Sequence, residues 1–168
     1  MSSFFLANPT PAPDWAVSQW LNTSSPLSLM DLRGKVVVIH AFQMLCPGCV
    51  LHGTPQATRL FQHFDRSAVA VIGLHTVFEN HHAMTPESLE VFLHEFRVEF
   101  PVGVDAPGDG DPIPQTMRRY QLRGTPSLLL IDRSGRLRAH RFGAVEDLAA
   151  GSAIQHLIDE PLTNQANS

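Results

Sequence analysis

The chain has 168 residues, 43% of them apolar and 17% charged, which excludes an intrinsically disordered protein. This length suits one domain with a core of its own. The net charge is −4, and the longest run of basic residues is the pair Arg118-Arg119. Because no basic patch is available to attract phosphate groups, we expect no nucleic-acid partner and no membrane partner.

The two ends of the chain differ in composition from its middle. The start contains Pro9, Pro11 and Pro13, and the end is the polar stretch TNQANS. We interpret residues 1–26 as an N-terminal extension, 27–160 as the folded domain and 161–168 as a flexible tail, with both ends loose. The start has no basic segment and only a short apolar run, so it does not resemble a signal peptide. The expected localisation is therefore cytoplasmic.

Strands and helices alternate through the first half of the domain. Residues 36–42, VVVIHAF, form an almost continuous apolar run, which predicts a strand covered on both faces. Apolar residues then recur with the spacing of an amphipathic helix. They are Ala57, Leu60, Phe61 and Phe64. A second buried strand is predicted over 68–75, and Thr85 is predicted to cap the helix that follows.

The second half of the domain predicts a strand, a short helix, a hairpin and a final helix. The expected ranges are 100–104 for the strand, 114–120 for the helix, and 127–132 and 137–142 for the strands of the hairpin. Gly151 is expected to break the final helix. This element order predicts an α/β fold with a mixed sheet, parallel where helices cross over and antiparallel at the hairpin.

Both cysteines of the chain lie in the segment HAFQMLCPGCVLHGTP, where the first predicted strand gives way to a helix. Pro47 suits a first helical position, which places Cys46 at the N-cap, where free backbone N–H groups favour a thiolate. Cys49 lies one turn further on the same face, close to the separation that a disulfide needs. In a reducing compartment such a pair is catalytic or metal-binding rather than structural. We therefore interpret Cys46 as the exposed nucleophile and Cys49 as the shielded resolving thiol.

The sequence from Leu27 to Ile158 resembles a known family. The matching segments are LSLMDLRGKVVVIHAFQMLCPGC, VIGLH, FPVGVD and MRRYQLRGTPSLLLIDRSGRLR. They are similar to thioredoxin-like thiol-disulfide oxidoreductases of the TlpA/ResA branch, within the redoxin (AhpC/TSA) superfamily. The resemblance implies a thioredoxin-like fold, a three-layer α/β/α sandwich with a mixed central sheet.

The resemblance also implies the surroundings of the cysteine pair. Pro126 corresponds to a cis proline that faces the pair, and with Thr125 it would shape the groove that receives a substrate strand. Leu45, Pro47 and Gly48 would complete the substrate-binding surface, with Phe42 and Met44 adding to an apolar rim. No cofactor is expected. The expected partners are a protein or peptide disulfide, or its dithiol form, and a recycling reductant of thioredoxin type or glutathione.

Three residues depart from the family pattern. Leu45 stands where tryptophan is usual, directly before the first cysteine. His40 stands where a buried polar or acidic residue is common, and it is either a proton acceptor for Cys49 or a core histidine bonded to a backbone carbonyl. Pro55 follows Cys49 by six residues rather than five, which predicts a local bulge or reset of the helix around Gly53.

A metal site is the first alternative to a redox pair. Several side chains could ligate zinc or copper. They are Cys46, Cys49, His52, His75, His81 and His82. The second C-x-x-C or H-x₃₋₅-H motif of a structural zinc site is missing, so no metal is expected.

Two further functions compete with the oxidoreductase. Peroxiredoxins, in the same superfamily, need Thr or Ser three residues before the attacking cysteine and Pro seven before it, and this chain has Gln43 and Ile39 there. A non-catalytic adaptor with the same fold is the other alternative, but a C-P-G-C segment at a strand-to-helix junction argues against it. The sequence therefore favours a thiol-disulfide oxidoreductase that acts on protein or peptide disulfides.

Overall fold

The computed structural model describes residues 3–162. Within this range seven strands form one sheet, in the order β1-β7-β6-β3-β4-β5-β2. The strands are β1 Thr10–Pro11, β2 Val17–Leu21, β3 Val36–Phe42, β4 Val69–His75, β5 Val102–Asp105, β6 Ser127–Ile131 and β7 Arg136–Phe142. The helices are α1 Thr54–His63, α2 Pro86–Glu95, α3 Gln115–Arg119 and α4 Asp147–Asp159, and a π-helical turn, Cys49–Gly53, precedes α1.

The central strand β3 is buried along its whole length. It pairs in parallel with β4 and antiparallel with β6, while β6 and β7 form the antiparallel hairpin. Six of its seven side chains, all except His40, are apolar or small, which suits a central strand between helical layers because such a strand has no face in water. The mixed sheet that the element order predicts is therefore present.

Alternate residues of β3 feed two cores on opposite faces of the sheet. Val36 and Val38 pack with side chains of α1, α2 and α4. Val37 and Ile39 pack on the other face with Met117 of α3 and with the segment around Leu29. The result is a three-layer arrangement in which the carboxyl ends of β3 and β4 meet at one edge, the usual place for binding and reaction in α/β sheets.

The N-terminal segment is not loose, which corrects the expectation from its composition. β1 pairs with β7 and β2 pairs with β5, so this segment forms both edges of the sheet. Trp15 donates its indole N–H to the Leu27 carbonyl at 2.8 Å, and the Tyr120 hydroxyl donates to the Pro13 carbonyl at 2.5 Å. Proline is tolerated at a sheet edge because its missing N–H can face away from the partner strand.

Two other expectations about the ends have different outcomes. The predicted break of the final helix at Gly151 is wrong, because α4 runs without interruption from Asp147 to Asp159. The expected flexible tail falls, from residue 163 onward, outside the described residues. Among the helices of residues 3–162, none has the length and apolar character needed to cross a bilayer.

Candidate active site

The cysteine pair lies at the junction between β3 and the helix that follows it. β3 ends at Phe42, and helical backbone begins at Pro47, directly after Cys46. The backbone N–H of Cys49 donates to the Cys46 sulfur at 3.3 Å. The first N–H groups of a helix have no partner within the helix, so the fold turns one of them toward this sulfur.

The two thiols are free and differ in their exposure. Cys46 is partly exposed and Cys49 is completely buried. The Cys46 thiol reaches the Thr125 carbonyl at 3.5 Å. Cys46 is therefore the sulfur that an incoming molecule can reach first.

The buried thiol of Cys49 is held in its protonated form. Burial raises the pKa of Cys49 to about 12, and the hydrogen bond and negative charge of Cys46 push it in the same direction. A backbone N–H of Gln43 opposes this pKa shift without cancelling it. The Cys49 thiol is therefore protonated at neutral pH while Cys46 lies next to it.

Pro126 forms the wall of the site opposite the start of the helix, and the Thr125–Pro126 peptide is cis. A Cβ atom added to Gly48 would lie 3.3 Å from the Pro126 Cδ atom. Glycine at this position therefore allows the proline ring to lie close against the C-P-G-C turn. The structure thus brings Thr125 and Pro126 together with both cysteines, as the family resemblance implies.

His40 lies under the site and is almost completely buried. Its Nε2 atom forms a 3.0 Å hydrogen bond with the Thr54 hydroxyl, and its ring stacks on Phe42 with a 7° angle between the planes. Burial lowers the pKa of His40 to about 3. The ring is therefore neutral at neutral pH, and its partner is a side-chain hydroxyl rather than a backbone carbonyl.

The predicted reset of the helix around Gly53 is confirmed as the π-helical turn over Cys49–Gly53. A π-turn accommodates one extra residue within a helix, which matches the six-residue spacing between Cys49 and Pro55. A Cβ atom added to Gly53 would lie 2.5 Å from His40 Cε1 and 3.0 Å from Pro126 Cβ. The turn therefore seats Gly53 against both His40 and Pro126.

The apolar rim is narrower than the sequence predicts. Leu45 is 56% exposed, and Pro47 beside it is also exposed. Phe42 and Met44 are buried in the core and do not reach the surface, because Phe42 is the last residue of the covered strand. Leu45 and Pro47 therefore form the accessible surface next to Cys46.

Comparison with known proteins identifies the family of the chain. Residues 9–140 match the AhpC/TSA family. The chain belongs to that family. The crystal structure of a thioredoxin-like superfamily protein is 59% identical, with 90% of this chain and 97% of that chain covered and a TM-score of 0.88. A thiol-disulfide isomerase from Corynebacterium glutamicum is 52% identical, with the same coverage and a TM-score of 0.87.

A longer curated protein is also similar. DipZ of Mycobacterium tuberculosis is 28% identical over 155 residues, which are 89% of this chain and 21% of DipZ. The chain therefore spans about a fifth of the length of this curated relative. Together the matches confirm the thioredoxin-like fold and agree with the interpretation as a thiol-disulfide oxidoreductase. The finer placement in the TlpA/ResA branch stays a prediction.

Gln43 is a site residue that the sequence analysis considered only as a departure from the peroxiredoxin pattern. Its side chain is 1% exposed. Its carbonyl accepts from the Cys46 N–H at 3.1 Å, and its side-chain oxygen accepts from the Phe78 N–H at 3.2 Å while its amide donates to Glu79. Gln43 therefore holds the loop that carries Cys46 against the loop after β4. A polar side chain inside the run HAFQMLC is the signal that marks it.

The histidines considered as metal ligands do not gather around the cysteines. Across residues 3–162, no three His, Cys, Asp or Glu side chains are placed so that they could hold a metal ion. His52, His81 and His82 are exposed, whereas His75 is buried at the end of β4.

Proposed function

We propose that this AhpC/TSA family member catalyses thiol-disulfide exchange, with Cys46 as nucleophile and Cys49 as resolving thiol. The observation that carries the proposal is the hydrogen bond from the Cys49 N–H to the Cys46 sulfur. A hydrogen bond to a thiolate favours the charged form, and the thiolate is the reactive nucleophile. Cys46 is also the more exposed of the two sulfurs.

The reaction proceeds through a mixed disulfide. The Cys46 thiolate attacks one sulfur of a substrate disulfide, forms a new S–S bond and releases the other substrate sulfur as a thiolate. Cys49 loses its proton and attacks the Cys46 sulfur, which frees the second substrate thiol and leaves a Cys46–Cys49 disulfide. The substrate gains two electrons and two protons, and a recycling reductant returns the pair to its dithiol form.

The raised pKa of Cys49 sets the order of these steps. Part of that pKa shift comes from the hydrogen bond and charge of Cys46, and both are lost once Cys46 is in a mixed disulfide. Cys49 therefore gives up its proton more easily after the first step than before it. His40 is a weak proton acceptor because burial lowers its pKa to about 3, so we assign it a positioning role through Thr54 and Gly53.

A protein or peptide disulfide is the substrate class that the surface suits best. Leu45 and Pro47 offer exposed apolar area beside Cys46, and the backbone at Thr125 lies against the same sulfur. We further propose a cytoplasmic setting, in which a thioredoxin-type protein or glutathione would recycle the pair and substrates would be reduced.

Insulin reduction in the presence of dithiothreitol tests the proposed activity. The wild-type protein should speed the precipitation of the insulin B chain, and Cys46→Ser should return the rate to that of dithiothreitol alone. Val91→Ser, at an exposed position of α2, serves as a folded control that leaves both sulfurs and the surface beside Cys46 in place. Equal rates for wild type and Cys46→Ser would overturn the proposal, and peroxide consumption by the reduced protein would then be the activity to measure.

A further inference from the structure

Two exposed side chains lie beside the loop that contacts the Cys46 sulfur. Arg123 is exposed, and Phe142 is 50% exposed. Arg123 comes two residues before Thr125, whose carbonyl lies 3.5 Å from that sulfur. Because an extended peptide advances about 3.3 Å per residue, a substrate residue two or three positions from its disulfide lies at a similar distance from the sulfur.

Contacts with Phe142 place the Arg123 guanidinium next to this loop. Its Cζ atom lies 5.7 Å from the centroid of the Phe142 ring. A Cβ atom added to Gly124 would lie 2.9 Å from the Cε2 atom of the same ring, so the ring packs against the backbone directly before the Thr125–Pro126 peptide. Phe142 also pairs with Ser127, directly after that peptide. The ring therefore holds the guanidinium beside the loop that adjoins Cys46.

Arg123 carries a charge that the described part of the chain leaves without an ion pair. Among residues 3–162, no carboxylate pairs with its guanidinium. The protein as a whole has a net charge of −4, so an unpaired cation beside the reactive sulfur is the opposite of its average surface. A guanidinium offers paired N–H donors that suit a carboxylate.

The strand order places a carboxylate on the other side of Cys46. Glu79 accepts from the Gln43 side-chain amide at 3.3 Å, and the Gln43 carbonyl accepts from the Cys46 N–H at 3.1 Å. Glu79 follows β4 and Arg123 precedes β6, and these two strands lie on opposite sides of β3. Since β6 is antiparallel to β3 and β4 is parallel to it, both charges lie at the edge of the sheet that carries the cysteines. The site therefore has a positive side and a negative side.

We propose that Arg123 selects disulfide substrates that carry an acidic residue close to the reactive cysteine. While the substrate sulfur is bonded to Cys46, the acidic side chain lies on the Thr125 side of the site, and its carboxylate binds the guanidinium that Phe142 holds in place. This inference rests on the proposed thiol-disulfide exchange and defines the class of its substrates more closely.

Matched peptide disulfides test this preference. Each is a symmetric disulfide of one short peptide that carries either two aspartates or two asparagines next to its cysteine. In one matched pair these residues lie on the N-terminal side of the cysteine, and in the other pair they lie on the C-terminal side, so the direction of binding need not be known. Reduced protein is mixed with excess disulfide, and the peptide thiol that it releases is measured by chromatography after an acid quench.

The ratio of the aspartate rate to the asparagine rate is the quantity to compare between variants, because intrinsic differences in peptide reactivity cancel. In at least one matched pair, this ratio should be about two- to fivefold lower in Arg123→Gln than in wild type, the effect of one exposed ion pair. In about 1 M salt, where exposed charges are screened, the wild-type ratio should fall to that of the variant. The salt dependence needs only the wild-type protein, so it decides the question even if Arg123→Gln does not fold.

Arg66→Gln is the matched control. Arg66 is also an exposed arginine over a phenylalanine ring, with its Cζ atom 4.1 Å from the centroid of Phe61. It precedes β4 and therefore lies at the opposite edge of the sheet from the cysteines. This variant has the same net charge as Arg123→Gln and should keep the wild-type ratio.

The outcomes separate this preference from the proposed activity. A ratio that is the same in wild type and Arg123→Gln for both matched pairs, that falls equally in Arg66→Gln, or that rises with salt would overturn the selection by Arg123 and leave thiol exchange in place. If wild type reduces none of the disulfides faster than Cys46→Ser does, the proposed activity is wrong, and the selection by Arg123 fails with it.

Discussion

The backbone N–H of Cys49 donates to the Cys46 sulfur at 3.3 Å, and this donor does not depend on the side chain at position 49. Cys49→Ser should therefore keep a reactive Cys46 but lack the thiol that resolves the mixed disulfide. We expect this variant to accumulate a covalent adduct with insulin, detected by mass spectrometry under non-reducing conditions. Cys46→Ser should form almost none because Cys49 is buried. Similar adduct levels in both variants would contradict the assigned roles.

The two most deeply buried histidines should make the protein less stable in mild acid. Burial lowers the pKa of His40 to about 3 and that of His75 to about 4, whereas both titrate near 6.5 in an unfolded chain. Their contribution to stability is complete above about pH 6.5 and is lost as the pH falls below that value, because the unfolded chain then binds more protons. Each histidine should lower the free energy of unfolding by about 1.4 kcal/mol per pH unit in this range.

Urea denaturation at several pH values between 7.5 and 5 measures this dependence. His75→Gln removes one titrating group and should reduce the slope below about pH 6.5 by about 1.4 kcal/mol per pH unit, with no difference in slope near pH 7.5. Asp105 acts in the opposite sense, since burial raises its pKa, but it contributes equally to both proteins. The difference between the two slopes therefore isolates His75. Identical slopes would show that this ring also takes up a proton in the folded protein.

The hydroxyl of Thr54 should stabilise the protein through His40. Thr54→Val keeps the shape of the side chain but leaves the His40 Nε2 atom without its partner at 3.0 Å, and an unpaired buried polar atom costs about 1–3 kcal/mol. Thr54→Ser keeps the hydroxyl and should lose less. Thermal and urea denaturation of the two variants measure the difference. A Thr54→Val variant as stable as Thr54→Ser would contradict a structural role for this hydrogen bond.

The sequence predicts the central elements because their signals are strong and local. β3 follows from a run of seven residues that is apolar or small except at His40, and the π-turn follows from counting one extra residue between Cys49 and Pro55. Cys46 is more exposed than Cys49 because it lies at the start of the helix, whereas Cys49 lies within it. These features depend on residues close together in the chain, so periodicity and spacing are sufficient to find them.

The remaining features depend on contacts between distant segments. β1 has two residues, one of them Pro11, so it becomes a strand only because β7 is available to pair with it. Leu45 and Met44 are adjacent in the sequence, and no hydrophobic periodicity distinguishes them. Leu45 is nevertheless exposed and Met44 is buried. The hydrogen bond between His40 and Thr54 depends on the π-helical turn, which directly precedes Thr54. Local patterns carry no information about such partners.

Gly53 provides the sharpest test of the packing beneath the cysteine pair. An added methyl group would lie 2.5 Å from the His40 ring and 3.0 Å from Pro126, and His40 cannot move away easily because it is held between Phe42 and Thr54. Overpacking of this kind typically costs about 1–3 kcal/mol. Gly53→Ala should therefore lower the free energy of unfolding and slow insulin reduction, because both neighbours adjoin the site.

Gly151→Ala is the matched control, since it adds the same methyl group to helical backbone. Gly151 lies inside α4, and an added Cβ there would have no heavy atom of the described residues outside its own helical turn within 4 Å. Replacing a partly exposed helical glycine with room for a methyl group by alanine should stabilise the protein by about 0.5–1 kcal/mol. Urea denaturation should therefore shift the two variants in opposite directions from wild type. A Gly53→Ala variant that is also stabilised would mean that His40 and Pro126 leave room for a side chain at the π-turn.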